Sequence, residues 1–191
     1  MDKLEKYVIS IMSQDRVGIV YEVSKAICDL NGNIADIRQS VLCGYFTMIL
    51  LVSFPEGISQ REIERKLAEV DAHSETPIDA AVKKVEKGQG NVPKPNPENT
   101  YILTATGTDK IGFVATVTSF CVKHHINILD LSTTESEGSY IMILVIDLNR
   151  DILISEVRKD LALFTIDTGV KTVLQHYDIF KAVNDINLSI R

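Results

Sequence analysis

Residues 7–54 can be laid over residues 101–148 at a constant offset of 94 without a gap, and 12 of the 48 aligned pairs are identical. The identities include Asp15/Asp109, Gly18/Gly112, Asn33/Asn127, Ile34/Ile128, Asp36/Asp130 and the triplets Met48-Ile49-Leu50/Met142-Ile143-Leu144. Many other pairs are conservative, such as Arg16/Lys110 and Val17/Ile111. A gapless match of this length marks a tandem duplication, so whatever one half folds into, the other must also build.

Each half repeats one order of elements. Tyr7–Ser13 and Tyr101–Thr106 read as strands. Val17, Val20, Val23, Ile27 and Leu30 recur at helical spacing, as do Ile111, Val114, Val117 and Cys121. Asp15 and Asp109 stand just before these helices, where a carboxylate can cap free N–H groups. Asn31-Gly32 is expected to close the first helix with a left-handed glycine. Two strands follow around Gly44 and around Gly138, then a helix (about Gln60–Val70; Ile152–Leu163) and a last strand (about Ile78–Val85; Val170–Tyr177). The order β-α-β-β-α-β predicts an α+β fold: two tandem ferredoxin-like units, each a four-stranded antiparallel sheet with two helices on one face.

The domains are expected at 1–87 and 100–177, joined by a Pro-rich linker at 88–99 and followed by a tail at 178–191. The linker holds three of the five prolines, which favours an extended spacer. Units of this size are marginal alone, and the third strand predicts how they gain cover. Phe46, Met48, Leu50, Val52 and Phe54 should lie under the helices. Yet Ile49 and Leu51, with Ile141, Ile143 and Val145 in the second copy, occupy the face that ought to be polar. That face needs cover from the other copy, from another chain or from the C-terminal tail, so packing of the copies or homo-oligomerisation is expected.

Charge narrows the function. Twenty Lys and Arg against 26 Asp and Glu leave a net charge of −6, which argues against direct nucleic-acid binding. Three cysteines, with no CxxC pair, argue for a reducing compartment. Cys28 and Cys121 fall on helices and read as small apolar fillers, Cys43 as an exposed thiol on a turn. The N-terminal residues carry both charge signs and do not read as a signal peptide. The longest apolar run is far shorter than the roughly 20 residues a spanning helix needs, so a soluble, cytoplasmic protein is expected. His73, His124, His125 and His176 lack metal-ligand spacing. No nucleophile–base pattern or phosphate loop can be assembled, so neither metal, cofactor nor catalytic residues are expected.

Asp15-Arg16-Val17-Gly18 with Asn33-Ile34-Ala35-Asp36, and Asp109-Lys110-Ile111-Gly112 with Asn127-Ile128-Leu129-Asp130, give each unit a Asp-x-x-Gly and an Asn-Ile-x-Asp motif. In these motifs and in strand order the chain resembles tandem ACT domains, and with only two such units it is similar to the glycine cleavage system transcriptional repressor family. The resemblance implies a non-enzymatic regulator that binds an amino acid, such as glycine, between paired units. It also implies a protein partner, possibly a DNA-binding transcription factor. By matching position it implicates Asp15, Arg16, Gly18, Asn33 and Ile34, and Asp109, Lys110, Gly112, Asn127 and Ile128. Physically, a helix N-terminus suits an α-carboxylate, a glycine admits close approach, and Asp could face an ammonium group. Each residue also has a plainer reading: the aspartates as caps, the glycines as packing devices, the asparagines as turn residues. The alternative functions are a structural dimerisation module and a regulatory module of an amino-acid enzyme, neither with a ligand of its own.

Overall fold

A computed structural model describes residues 4–70, 77–86, 96–136, 138–148 and 152–184. The chain divides into two compact units, Met1–Val92 and Pro93–Arg191. In the first, β1 (Leu4–Gln14), α1 (Ile19–Asp29), β2 (Asn33–Leu42), β3 (Tyr45–Pro55), α2 (Gln60–Val70) and β4 (Asp79–Lys84) follow in order. In the second, β5 (Thr100–Thr108), α3 (Phe113–Lys123), β6 (Asn127–Ser136), β7 (Ser139–Asp147), α4 (Ile154–Thr168) and β8 (Lys171–His176) repeat them, and α5 (Tyr177–Asn184) is added. The sheet orders are β2-β3-β1-β4 and β6-β7-β5-β8, antiparallel throughout. The duplicated ferredoxin-like arrangement expected from the repeat is present. Most of the expected linker lies outside the described residues; its end, Pro97–Asn99, forms one 3-10 turn.

Alternation along the strands sets the first core. Tyr7, Ile9 and Ile11 of β1 and, as expected, Phe46, Met48, Leu50, Val52 and Phe54 of β3 point to the helix side and are buried. Ile19, Val23, Ala26 and Ile27 of α1 and Ile63 and Leu67 of α2 close over them. Tyr7 carries its hydroxyl into this layer, where the Ile58 carbonyl accepts it at 2.9 Å and a Glu5 carboxylate oxygen stands as a second acceptor at 3.2 Å, so the buried phenol is satisfied. The hairpin from β2 to β3 is tight because Cys43 and Gly44 both take positive φ, 51° and 79°, matching the twist of the strands it joins.

Several expectations are corrected in detail. The apolar stripe of α1 is rotated: Ile19 is buried while Val20 is exposed, and Val17 lies wholly in solvent ahead of the helix. The second copy shows the same shift, with Phe113 buried, Val114 exposed and Ile111 wholly exposed. Both helices start two residues later than periodicity implies, so the first apolar residue of each run belongs to a turn. At the end of α1 it is Asn31, φ 55°, that takes the left-handed conformation, not Gly32. Gly32 serves packing: a Cβ there would sit 2.4 Å from the Phe54 ring and 2.7 Å from Ile27. Cys28 is exposed and not a filler, whereas Cys121 is buried.

Of the expected tail at 178–191, the described part belongs to helix α5, Tyr177–Asn184. Helix α5 lays Tyr177 and Phe180 on Ile102 and Val145, with Leu129 and Ile143 packed alongside. It thus covers the outer face of the second sheet, one of the three covers the apolar strand pattern allowed.

Candidate functional site

The loop joining the first strand of each unit to its first helix has one construction in both copies. The strand ends, Asp15 or Asp109 follows, and three residues later a glycine begins the helix. Gly18 (φ 101°) and Gly112 (φ 86°) occupy the N-cap positions in the left-handed region, and no side chain caps either helix. Asp15 and Asp109 are therefore not caps: the turn through Arg16-Val17 or Lys110-Ile111 carries the helix start out of their reach. The contrast within the chain is instructive, since Ser59 caps α2 by accepting from the Glu62 N–H at 3.2 Å. The glycines are required by the backbone itself, because a residue with a Cβ is strained at such φ values.

In the first unit the Asp15 N–H donates to the Gly44 carbonyl at 2.8 Å, which ties the loop to the β2–β3 hairpin. Arg16 then turns back over the helix start and donates to both carboxylate oxygens of Glu22, at 3.0 and 2.7 Å. This fork holds the Glu22 carboxyl below the usual carboxylate range. Around it opens a cleft of about 490 Å3 bordered by Asp15, Gly18, Tyr21, Gln39, Val41 and Phe46. In the second unit Lys110 replaces Arg16 and Thr116 replaces Glu22. Lys110 is exposed and makes no ion pair among the described residues. A Cβ built on Gly112 would meet nothing within 4 Å. One helix start is thus closed by an internal ion pair, and its repeat is open and cationic.

The remaining expected site residues lie elsewhere. Asn33 and Ile34 pair with Ser53 and Val52 at the opposite end of the sheet, where Ser53 faces Lys6. Eight residue steps along β1 separate Lys6 from Gln14, so the two groups stand roughly 27 Å apart at the usual strand rise. Asn127 and Ile128 are likewise remote from Lys110 and Gly112, through Asp147 and Thr100. Within one unit the two motifs do not meet. The second has a local use: the register shifts between Ile34 and Asp36 and between Ile128 and Asp130 mark β-bulges. In each, the aspartate carboxylate accepts from the next residue's N–H at 2.9 Å. Sequence reading missed Glu22, Tyr21 and Gln39, because no repeat marks them and a charge on α1 reads as solvated surface.

The histidines are placed individually. His124 Nε2 stands 3.3 Å from an Asp160 oxygen, and His176 lies edge-on to Tyr101. No group of three or more metal-ligating side chains forms among the described residues, and no described helix is long and apolar enough to cross a membrane.

Two antiparallel βαββαβ modules with repeated glycine-started helices define a duplicated ferredoxin-like protein. The chain belongs to the ACT domain family, whose model matches residues 5–78 and 99–175. A UPF0237 protein of Pyrobaculum aerophilum is 31% identical over 86 residues, which cover 44% of this chain and 96% of that protein. The UPF0237 protein of Streptococcus mutans is 41% identical over 71 residues, 37% of this chain and 77% of the relative. These relatives have about the length of a single unit. Among solved structures, an unknown protein from Galdieria sulphuraria superposes with a TM-score of 0.70 at 25% identity, covering 91% of this chain and 98% of the other. A candidate glycine cleavage system transcriptional repressor superposes with a TM-score of 0.65 at 18% identity, covering 90% and 96%, a likeness of fold.

Proposed function

We propose that this chain is a non-catalytic regulatory protein that binds a free amino acid, glycine being the first to test, and thereby changes its affinity for a protein partner. The observation that carries this reading is the pair of uncapped helix starts, each led by a left-handed glycine and a basic residue. Unpaired N–H groups at such a start, with the helix dipole behind them, favour a carboxylate. The second unit is the better receptor. Lys110 adds a cation there, while in the first unit Glu22 already supplies Arg16 with a carboxylate.

Asp109 is the group to hold the ligand's ammonium end. Asn33, Ile34, Asn127 and Ile128 are too far from the loops of their own units to share a site with them. If they contact ligand, another unit must present them, which agrees with binding between units. The fully exposed Val17 and Ile111 at the loop tips fit such a meeting of units. The partner we favour is a DNA-binding transcription factor, since an acidic chain needs another protein to reach DNA; the fold shared with a candidate repressor supports that choice. Control follows if the ligand binds one state of the assembly better than the other.

A thermal-shift screen of the full chain against the twenty amino acids tests the first part. A ligand at about 100 times its dissociation constant adds roughly 2.7 kcal/mol of apparent stability, readily seen as a rise in Tm. A shift with glycine or another single amino acid is expected. No shift with any of the twenty contradicts amino-acid sensing and leaves a ligand-free interaction module.

A further inference from the structure

The outer face of the first sheet is apolar at its centre and, among the described residues, exposed. Val8 is 38%, Met12 47% and Ile49 56% exposed. Leu51 stands opposite Val8 in register, Ile49 opposite Ser10, and Thr47 opposite Met12. A cleft of about 620 Å3 opens over this surface, bordered by Arg38, Ser40 and Asp79 as well. A sheet face meant for water alternates polar residues outward, and contiguous exposed apolar surface marks an interaction site. In the second unit the equivalent residues, Ile102 and Val145, lie under α5. Among the described residues no element does this for the first unit.

We propose that this face packs against the same face of a second copy of the chain, in a two-fold, sheet-on-sheet dimer. The outer face of the second unit already carries α5. The first unit's face matches itself. Across the sheet one level runs Asp36, Leu51, Val8, Lys83; the next runs Arg38, Ile49, Ser10, Ala81; and the third Ser40, Thr47, Met12, Asp79. A two-fold axis between the sheets, parallel to the strands, lays β2 over the partner's β4 and β3 over the partner's β1. Asp36 then faces the partner's Lys83, and Leu51 faces the partner's Val8. Ile49 and Met12 fill the centre, and Arg38 lies a diagonal step from the partner's Asp79. An isologous contact counts each pair twice, so this arrangement sets two Asp36–Lys83 pairs at opposite margins of one apolar strip. Turning the axis across the strands instead would stack Arg38 on the partner's Arg38, which like charges disfavour. The face projects roughly 500 Å2 at ordinary strand spacings, the scale of a reversible dimer and not an obligate one. The dimer does not depend on whether the loops bind an amino acid.

Analytical ultracentrifugation of the full chain over a wide concentration range tests it. A monomer–dimer equilibrium is expected, and Ile49→Glu should abolish the dimer while leaving the circular dichroism unchanged, because Ile49 is outside the core. Asp36→Lys and Lys83→Asp should each weaken the dimer by about tenfold through like-charge apposition, and the double variant should recover most of the loss. That recovery does not depend on the behaviour of Ile49→Glu. A chain that stays monomeric at every concentration overturns the proposal, as it would if the true occupant were another protein's helix. A dimer indifferent to Ile49→Glu, or single charge reversals without recovery in the double variant, also overturns it.

Discussion

Arg16 grips Glu22 through two hydrogen bonds, at 3.0 and 2.7 Å, across the start of α1. At the equivalent positions of the second unit stand Lys110 and Thr116. Duplication preserved the loop and its glycine but not the ion pair, so two nearly identical backbones carry different electrostatics. In the first, the carboxylate that a helix start attracts comes from the helix itself. In the second, the first turn of α3 carries no acidic residue.

The Arg16–Glu22 pair makes a pH-dependent contribution of modest size. Glu22 titrates below its ordinary value in the folded chain because Arg16 hydrogen-bonds its charged form. A depressed carboxylate stabilises the fold above its unfolded pKa and loses that contribution as pH falls through the lower, folded value. Both side chains are partly exposed, at 26% and 37%, so solvent screening keeps the coupling near about 0.5–1 kcal/mol. A double-mutant cycle with Arg16→Ala and Glu22→Gln should give this at pH 7 and almost nothing in strong acid. A coupling independent of pH would show that the contact is packing and not charge.

Gly32 and Gly18 should fail for different reasons when changed to alanine. At Gly32 the new methyl would meet the Phe54 ring and Ile27, an overpacking worth about 1–3 kcal/mol or more. At Gly18 space is nearly adequate, but φ is 101°, and the left-handed conformation costs an alanine roughly 1–2 kcal/mol. Denaturant unfolding should show both losses. Shortening Phe54 to Leu alongside should relieve only part of the Gly32→Ala loss, because the Ile27 carbonyl stays 2.9 Å from the new methyl, and should leave Gly18→Ala unrescued. Glycine substitutions at 18 and 112 thus confound binding with folding, and the site is better probed through Lys110 and Thr116.

Helix α5 is integral to the second unit. Phe180→Ala removes a ring buried against Ile102 and Val145, at a cost of about 3 kcal/mol, and should bring in dye binding typical of exposed apolar surface. Unfolding unchanged by Phe180→Ala would mean that α5 only rests on the sheet.

The three thiols should separate by rate. Cys28 and Cys43 are exposed and Cys121 is buried, and burial pushes the Cys121 thiol above its ordinary pKa. Since the thiolate is the reactive form, a thiol reagent should modify two cysteines quickly in the folded chain and the third only as it unfolds. Three equal rates would place Cys121 outside the core.

Much of this architecture was legible because the duplication shows every element twice. The five inward residues of β3 fall every second position and were all buried as read. The helix starts were not legible. Val17 and Ile111 sit at helical spacing from the core residues that follow, yet a left-handed glycine at 18 and 112 places them in a turn. Periodicity records which residues are apolar, not where the backbone changes region. The separation of the two motifs was not legible either: Asn33 and Asp15 share a role by resemblance, but the length of β1 lies between them. The Arg16–Glu22 fork escaped notice because a pair six residues apart across a turn has no characteristic spacing. Helix α5 was half legible, since the apolar outer face demanded a cover without naming it.

The most direct test of regulatory ligand binding is a calorimetric titration of glycine, and of any other amino acid that raises Tm, into the full chain and into Thr116→Glu. That substitution gives the second unit the carboxylate that closes the first, within reach of Lys110. The account predicts saturable binding to the natural chain and at least a tenfold loss in Thr116→Glu, with the fold unchanged by circular dichroism. No binding by the natural chain, or equal affinity in the two, would contradict it.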